Sequence, residues 1–153
     1  MHLLRRKDFS ETGSRIPHLW GMLHLRALPG SPRFSGSVDE VLDAALADAT
    51  ALVNTGFRGL VVENFGDRPF VSGAVDPVTV AGMTRIAAAV RREWPELHLI
   101  VNCLRNDAES GLAVAIAAGR HRAVTVDYKL SYLFHNLFRQ EKRRPCSEIA
   151  LRL

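Results

Sequence analysis

VVENFGDRPF, residues 61–70, opens with two β-branched apolar residues suited to a buried strand and passes at once to a carboxylate and an amide, Glu63 and Asn64. Gly66, Asp67 and Pro69 then mark a loop. The same ending occurs twice more. GMLHL (21–25) places His24 at the end of an apolar run, and HLIVNCL (98–104) places Asn102 there. His24, Glu63 and Asn102 are separated by equal intervals of 39 residues. Three strands therefore each carry a polar residue at a matching position.

The segments between these strands read as helices. Ser37 with Glu40 three positions later is a capping box, and Val38, Val41, Leu42, Ala45, Leu46, Ala49 and Leu52 follow at helical spacing up to Gly56. A second helix is predicted over 79–94, with Asp76 and Pro77 as cap and first position, and a third over 108–119, ending on Gly119. The order is β-α-β-α-β-α, and residues 123–128 (AVTVDY) are a candidate fourth strand. The strands are continuous apolar runs without alternation, as parallel strands covered on both faces require. Helical crossovers between them are what parallel neighbours need. The fold class is α/β with parallel strands, and both an open doubly wound sheet and a closed (β/α) barrel fit the pattern.

Composition narrows the function classes. The chain has 153 residues, 47% of them hydrophobic and 24% charged, the balance of an ordinary globular domain. No run reaches the roughly 18 to 20 apolar residues of a membrane helix. Cys103 and Cys146 are the only cysteines, and the N-terminus has no secretory apolar run, so a disulfide scaffold is not expected and a cytoplasmic protein is. The net charge is +4, but residues 120–153 hold eight basic against three acidic residues, +5 in all, which leaves −1 for the first 119. The basic excess belongs to a tail and not to a face of the folded part, so nucleic acid is not an expected partner. Three segments follow: a lead-in over 1–17, βα units over 18–119, and a divergent basic tail over 120–153.

A parallel sheet gathers its C-terminal ends on one side, so His24, Glu63 and Asn102 are expected to converge on one mouth, beside loops carrying Arg26, Asp67, Arg68, Arg105, Asn106 and Asp107. Chemistry in α/β barrels sits at that end. Each residue taken singly has a plainer explanation as a strand-end group bonded to backbone, and Asp67 and Asp107 suit turns or helix caps. Their common register favours a site. One imidazole and one carboxylate 39 residues apart make no metal-ligand motif, and no glycine-rich phosphate loop or CxxC occurs, so neither a metal nor a cofactor is expected.

GMLHLRALPGSP (21–32), VVENFGDRPF (61–70) and VNCLRNDA (101–108) together resemble the BtpA/SgcQ family, whose members carry a His-containing strand leading into an LPGSP loop, an ENFGD-type strand and an NxLRND-type strand. The resemblance covers residues 18–119. It implies a barrel of the ribulose-phosphate-binding kind, with relatives labelled phosphoribosylanthranilate isomerase-like and one branch associated with photosystem I biogenesis in cyanobacteria. His24, Glu63, Asn64, Asp67, Asn102, Arg105, Asn106 and Asp107 match the polar positions of its motifs.

Two functions follow from the resemblance: a biogenesis or assembly factor, or part of an enzyme or binding protein for a small phosphorylated or anionic metabolite. In the second, His24 or Glu63 moves a proton and Asn102 with Arg105 orients the ligand. A whole (β/α)8 barrel takes about 250 residues, so three to four units make a partial one. After Gly119 the resemblance ends, which suggests a truncated or frame-shifted product. Unpaired edge strands and the inward residues Met22, Val61 and Ile100 point to a homo-oligomer or a partly folded fragment.

Overall fold

A computed structural model describes residues 19–119 and 123–125. The lead-in and most of the tail, including all but the first residues of the candidate strand 123–128, lie outside the described residues. Four strands alternate with three helices: β1 (Gly21–His24), α1 (Val38–Asn54), β2 (Gly59–Glu63), α2 (Pro77–Glu93), β3 (His98–Asn102), α3 (Ala108–Ala117) and β4 (Ala123–Thr125).

The sheet order is β1-β2-β3-β4, with every neighbouring pair parallel. A doubly wound sheet reverses its strand order at a switch point, whereas a barrel adds each strand beside the last. The described strands do the latter, so the fold is a partial (β/α)8-type barrel.

Local signals set the helix limits. Ser37 caps α1, its hydroxyl accepting from Glu40 N while Glu40 returns a bond to the Ser37 amide. Val41, Ala45 and Ala49 are buried on one stripe of that helix, with Leu42, Leu46 and Leu52 packed at its margins. Helix α2 begins at Pro77 with Asp76 as its cap, as the sequence reading placed them, because Asp76 accepts from Val78 N and proline suits the first turn. The third helix stops at Ala117, short of the predicted 119. Strand β3 ends at Asn102 and does not run on to Leu104, for a reason found in the loops below.

The core lies between the sheet and the helices. Leu23, Leu60, Val62, Leu99 and Val101 point from the strands towards Val41, Met83, Ile86, Val90 and Val114, all essentially inaccessible. The alternate residues Met22, Val61 and Ile100 are in register on the other face, the inside of a barrel. Met22 is 45% exposed there.

Candidate functional site

His24, Glu63 and Asn102 are direct lateral neighbours at the C-terminal ends of β1, β2 and β3. Asn102 Nδ2 donates to Glu63 Oε1 at 2.5 Å, and His24 Nε2 lies 3.3 Å from Glu63 Oε2. Both oxygens of one carboxylate are thus held by the flanking strands. Glu63 is 7% exposed, whereas the His24 side chain is 44% exposed. A row of this kind has a buried acid whose orientation is fixed and an imidazole that reaches solvent, the arrangement a proton relay needs. Asn102 Oδ1 is buried with no hydrogen-bond partner among the described residues. Such orphans are rare in folded proteins.

Phe65 steadies the exposed end of the row. The His24 ring stacks on it at 4.2 Å and 15°, and the Arg68 guanidinium carbon sits 3.7 Å from its centroid. Two groups so close to one ring cannot share a face, so the phenyl group is held between imidazole and guanidinium. Within the quoted motif Phe65 has the signal of an ordinary apolar residue, and nothing in its sequence setting separates it from a core phenylalanine.

Asn64, Asp67 and Asp107 are engaged differently. Asn64, 1% exposed, accepts from Leu104 N at 2.6 Å and donates to Leu104 O at 3.1 Å and to Asp67 Oδ2 at 3.1 Å. Its amide thereby takes both backbone groups of Leu104, which ends β3 before that residue. Asp67 Oδ1 in turn accepts from Leu28 N at 2.7 Å. The loops after β1, β2 and β3 are fastened through this chain of bonds. Asp107 caps α3 by accepting from Ser110 N and holds the β2–α2 loop by accepting from Val75 N at 2.7 Å. Arg105 and Asn106 are exposed, and Asn106 has a positive φ of 67°. The eight residues singled out in the sequence thus divide into a strand-end row, a set that fastens loops, and an exposed loop tip.

Burial pushes the Asp67 carboxyl above its ordinary range, partly opposed by the Leu28 N–H and the Asn64 amide. A raised carboxyl favours the folded state while protonated, so this contribution is lost as pH rises through the folded value.

Burial, with the nearby Asp107 and Asp67, pushes the Cys103 thiol from an ordinary 9.0 up to about 12. The unfolded chain therefore releases this proton first, and the stability it contributes is complete below pH 9.0 and lost as pH climbs towards 12. The expected slope is about 1.4 kcal/mol per pH unit in that window. Denaturation of wild type and Cys103→Ala across the window checks it: the substitution is expected to flatten the alkaline loss, and parallel curves would refute the assignment.

Among the described residues no group of three or more His, Cys, Asp and Glu is placed to hold a metal ion. No helix there is long and apolar enough to cross a membrane.

Parallel βα units added in order, with polar groups aligned at the C-terminal strand ends, define a (β/α)-barrel protein with its mouth at that end. The chain belongs to the BtpA family, whose profile matches residues 16–128. It is 48% identical over 99 residues to an uncharacterized protein of Thermococcus kodakarensis, covering 65% of this chain and 37% of that protein. It is 41% identical over 99 residues to the photosystem I biogenesis protein BtpA of Synechocystis, covering 65% and 34%. An uncharacterized mitochondrial protein of Caenorhabditis elegans is 33% identical over 70 residues, covering 46% and 25%. No solved structure matches the chain. The matched part thus spans between 25% and 37% of the length of these curated relatives.

Proposed function

We propose that this chain forms part of a metabolite-binding barrel in which Glu63 moves a proton to or from a small hydroxylated, anionic ligand. The observation that carries this reading is the lateral row of His24, Glu63 and Asn102, with one carboxylate held from both sides. In this reading Asn102 fixes the carboxylate. His24 exchanges the proton with solvent. Arg105 and Asn106, at the exposed loop tip, meet the anionic part of the ligand, while Asn64, Asp67 and Asp107 hold the loops that form the mouth. A buried free thiol at Cys103 accords with a reducing, cytoplasmic setting.

The test is hydrogen exchange. The protein is incubated in D2O with a panel of aldose and ketose phosphates, and deuterium at carbon next to the carbonyl is followed by NMR. Exchange in wild type, lowered at least about a hundredfold in Glu63→Gln with binding retained, is expected of a general base. Equal exchange in both proteins would refute the role of Glu63.

A second reading is an assembly factor, favoured by the name of the Synechocystis relative. Similarity to archaeal and nematode proteins supports a shared chemistry that does not depend on photosynthesis.

The open inner face carries a further expectation. Met22, Val61 and Ile100 lack an opposing wall among the described residues, and β1 pairs there only with β2. Such an edge and face favour pairing with a second copy. Light scattering after size exclusion is expected to give a dimer or larger species. A monodisperse single-chain mass with a sharp melt would refute this.

A further inference from the structure

The Glu63 carbonyl accepts from Leu25 N at 2.9 Å and from Phe65 N at 2.8 Å. One backbone oxygen thus fastens the residue after His24 and the residue two beyond Glu63. The segment leaving β1 and the turn leaving β2 are held side by side, and the His24 and Phe65 rings stack where they meet. Among the described residues the His24 imidazole makes two contacts, Nε2 with Glu63 Oε2 and one face with Phe65. A contact at one nitrogen leaves a ring free to swing about it. In catalytic histidines a hydrogen bond at the second nitrogen ordinarily sets the orientation. Here the stack sets the plane of the ring instead.

The phenyl group that does this is itself confined. The Arg68 guanidinium covers its other face, and Phe70 approaches with ring centroids 6.3 Å apart at 53°. Phenylalanine has only two side-chain torsions, so a ring with three neighbours on a fastened backbone has little freedom left. Arg68 reaches neither His24 nor Glu63 in any hydrogen bond or ion pair among the described residues, and its contact with the row runs through Phe65.

We propose that Phe65 and Arg68 are positioning residues for the Glu63 row: Arg68 holds Phe65, and Phe65 holds the His24 imidazole with Nε2 on the carboxylate. The purpose of that alignment, passage of a proton between Glu63 and solvent, rests on the proton-transfer reading above. Arg68 thereby has a different part from Arg105 and Asn106, since it acts through a ring and not on the anionic end of the ligand. Loss of alignment at a proton-moving group lowers rate more than affinity, and small displacements suffice.

Imidazole NMR of the isotope-labelled full chain tests this without any ligand, the His24 signals being assigned from His24→Gln. In wild type the His24 ring protons are expected upfield, as the ring current of a stacked phenyl group requires, and Glu63→Gln is expected to move the Nε2 signal. In Phe65→Leu the upfield shift is expected to vanish and the response of Nε2 to Glu63→Gln to fall by at least about half, an aromatic pair being worth roughly a two- to tenfold bias. Phe65→Tyr keeps a stacking ring and is expected to restore both signals. Arg68→Ala, at an exposed position, is expected to weaken both to a lesser degree, the cation on the ring being worth roughly a two- to fivefold bias. In the exchange reaction Phe65→Leu and Arg68→Ala are expected to lower kcat several-fold with KM unchanged. An Nε2 response that is the same in wild type and Phe65→Leu, or an Arg68→Ala that raises KM alone, would overturn the proposal. Far-UV circular dichroism verifies folding, and if Phe65→Leu does not fold the Nε2 response in Arg68→Ala decides. Absence of exchange in wild type together with the expected imidazole signals would strike the proton-transfer reading and leave the positioning intact.

Discussion

Asn64→Ala is expected to remove a large part of the folding free energy of this chain. The substitution leaves the Leu104 N–H and C=O without their partner and takes the donor from Asp67 Oδ2. These groups are buried, and each unsatisfied one costs about 1 to 3 kcal/mol, so a loss of about 3 to 5 kcal/mol follows. Whole domains are stable by only about 5 to 15 kcal/mol. Asn64→Asp is expected to be worse. It retains an acceptor for the Leu104 N–H but turns a second oxygen towards the Leu104 carbonyl and the Asp67 carboxylate, where the amide now donates. Urea denaturation followed by circular dichroism measures both. A loss below about 1 kcal/mol for Asn64→Ala would show that water replaces the amide without difficulty and that the loops are not fastened through it.

Gly66→Ala is expected to be comparably damaging by a different route. Here the β2–α2 loop crosses the β1–α1 loop at backbone contact, with Gly66 N donating to Leu25 O at 2.9 Å. A Cβ at position 66 would overlap Ala27 N and come within 2.8 Å of Leu25 O. These are main-chain atoms and cannot rotate aside, so one of the two loops must shift. The Leu28–Asp67 bond, in the same pair of loops, would be disturbed with it. The expected cost is at or above about 3 kcal/mol, the upper end for added bulk in packed structure. A melting temperature within a degree or two of wild type would contradict the close approach.

These two positions also show how far the sequence reaches. The capping box of α1, the Asp76–Pro77 start of α2 and the parallel strands were legible because each is a local pattern with a local cause. The 39-residue interval was legible because one βα unit returns the chain to the same level of the next strand, so residues one interval apart become neighbours. That is why His24, Glu63 and Asn102 align, and why Leu28 N meets Asp67. The choice between open sheet and barrel was not legible in the periodicity, since strand order is set by packing between units; the resemblance of the three motifs to the BtpA/SgcQ family implied a barrel, and the strand order agrees.

The division of labour among the polar residues was hidden for a related reason. Glu63 and Asn64 are adjacent and equally polar, yet one faces the strand-end row and the other closes on Leu104, forty residues away. Only the fold places their partners. The stacking of His24 and Arg68 on Phe65 is likewise a product of loop paths, which sequence periodicity does not describe.

The central claim is that function resides at the C-terminal ends of the strands, around Glu63. Amide chemical shifts of the isotope-labelled chain, followed while ribulose 5-phosphate is added, test it most directly. Saturable shifts confined to residues 24–41, 63–68 and 102–107 are the expected result. Shifts centred on the opposite ends of the strands, near Arg58, Gly59 and His98, or no saturable shifts at all, would contradict it.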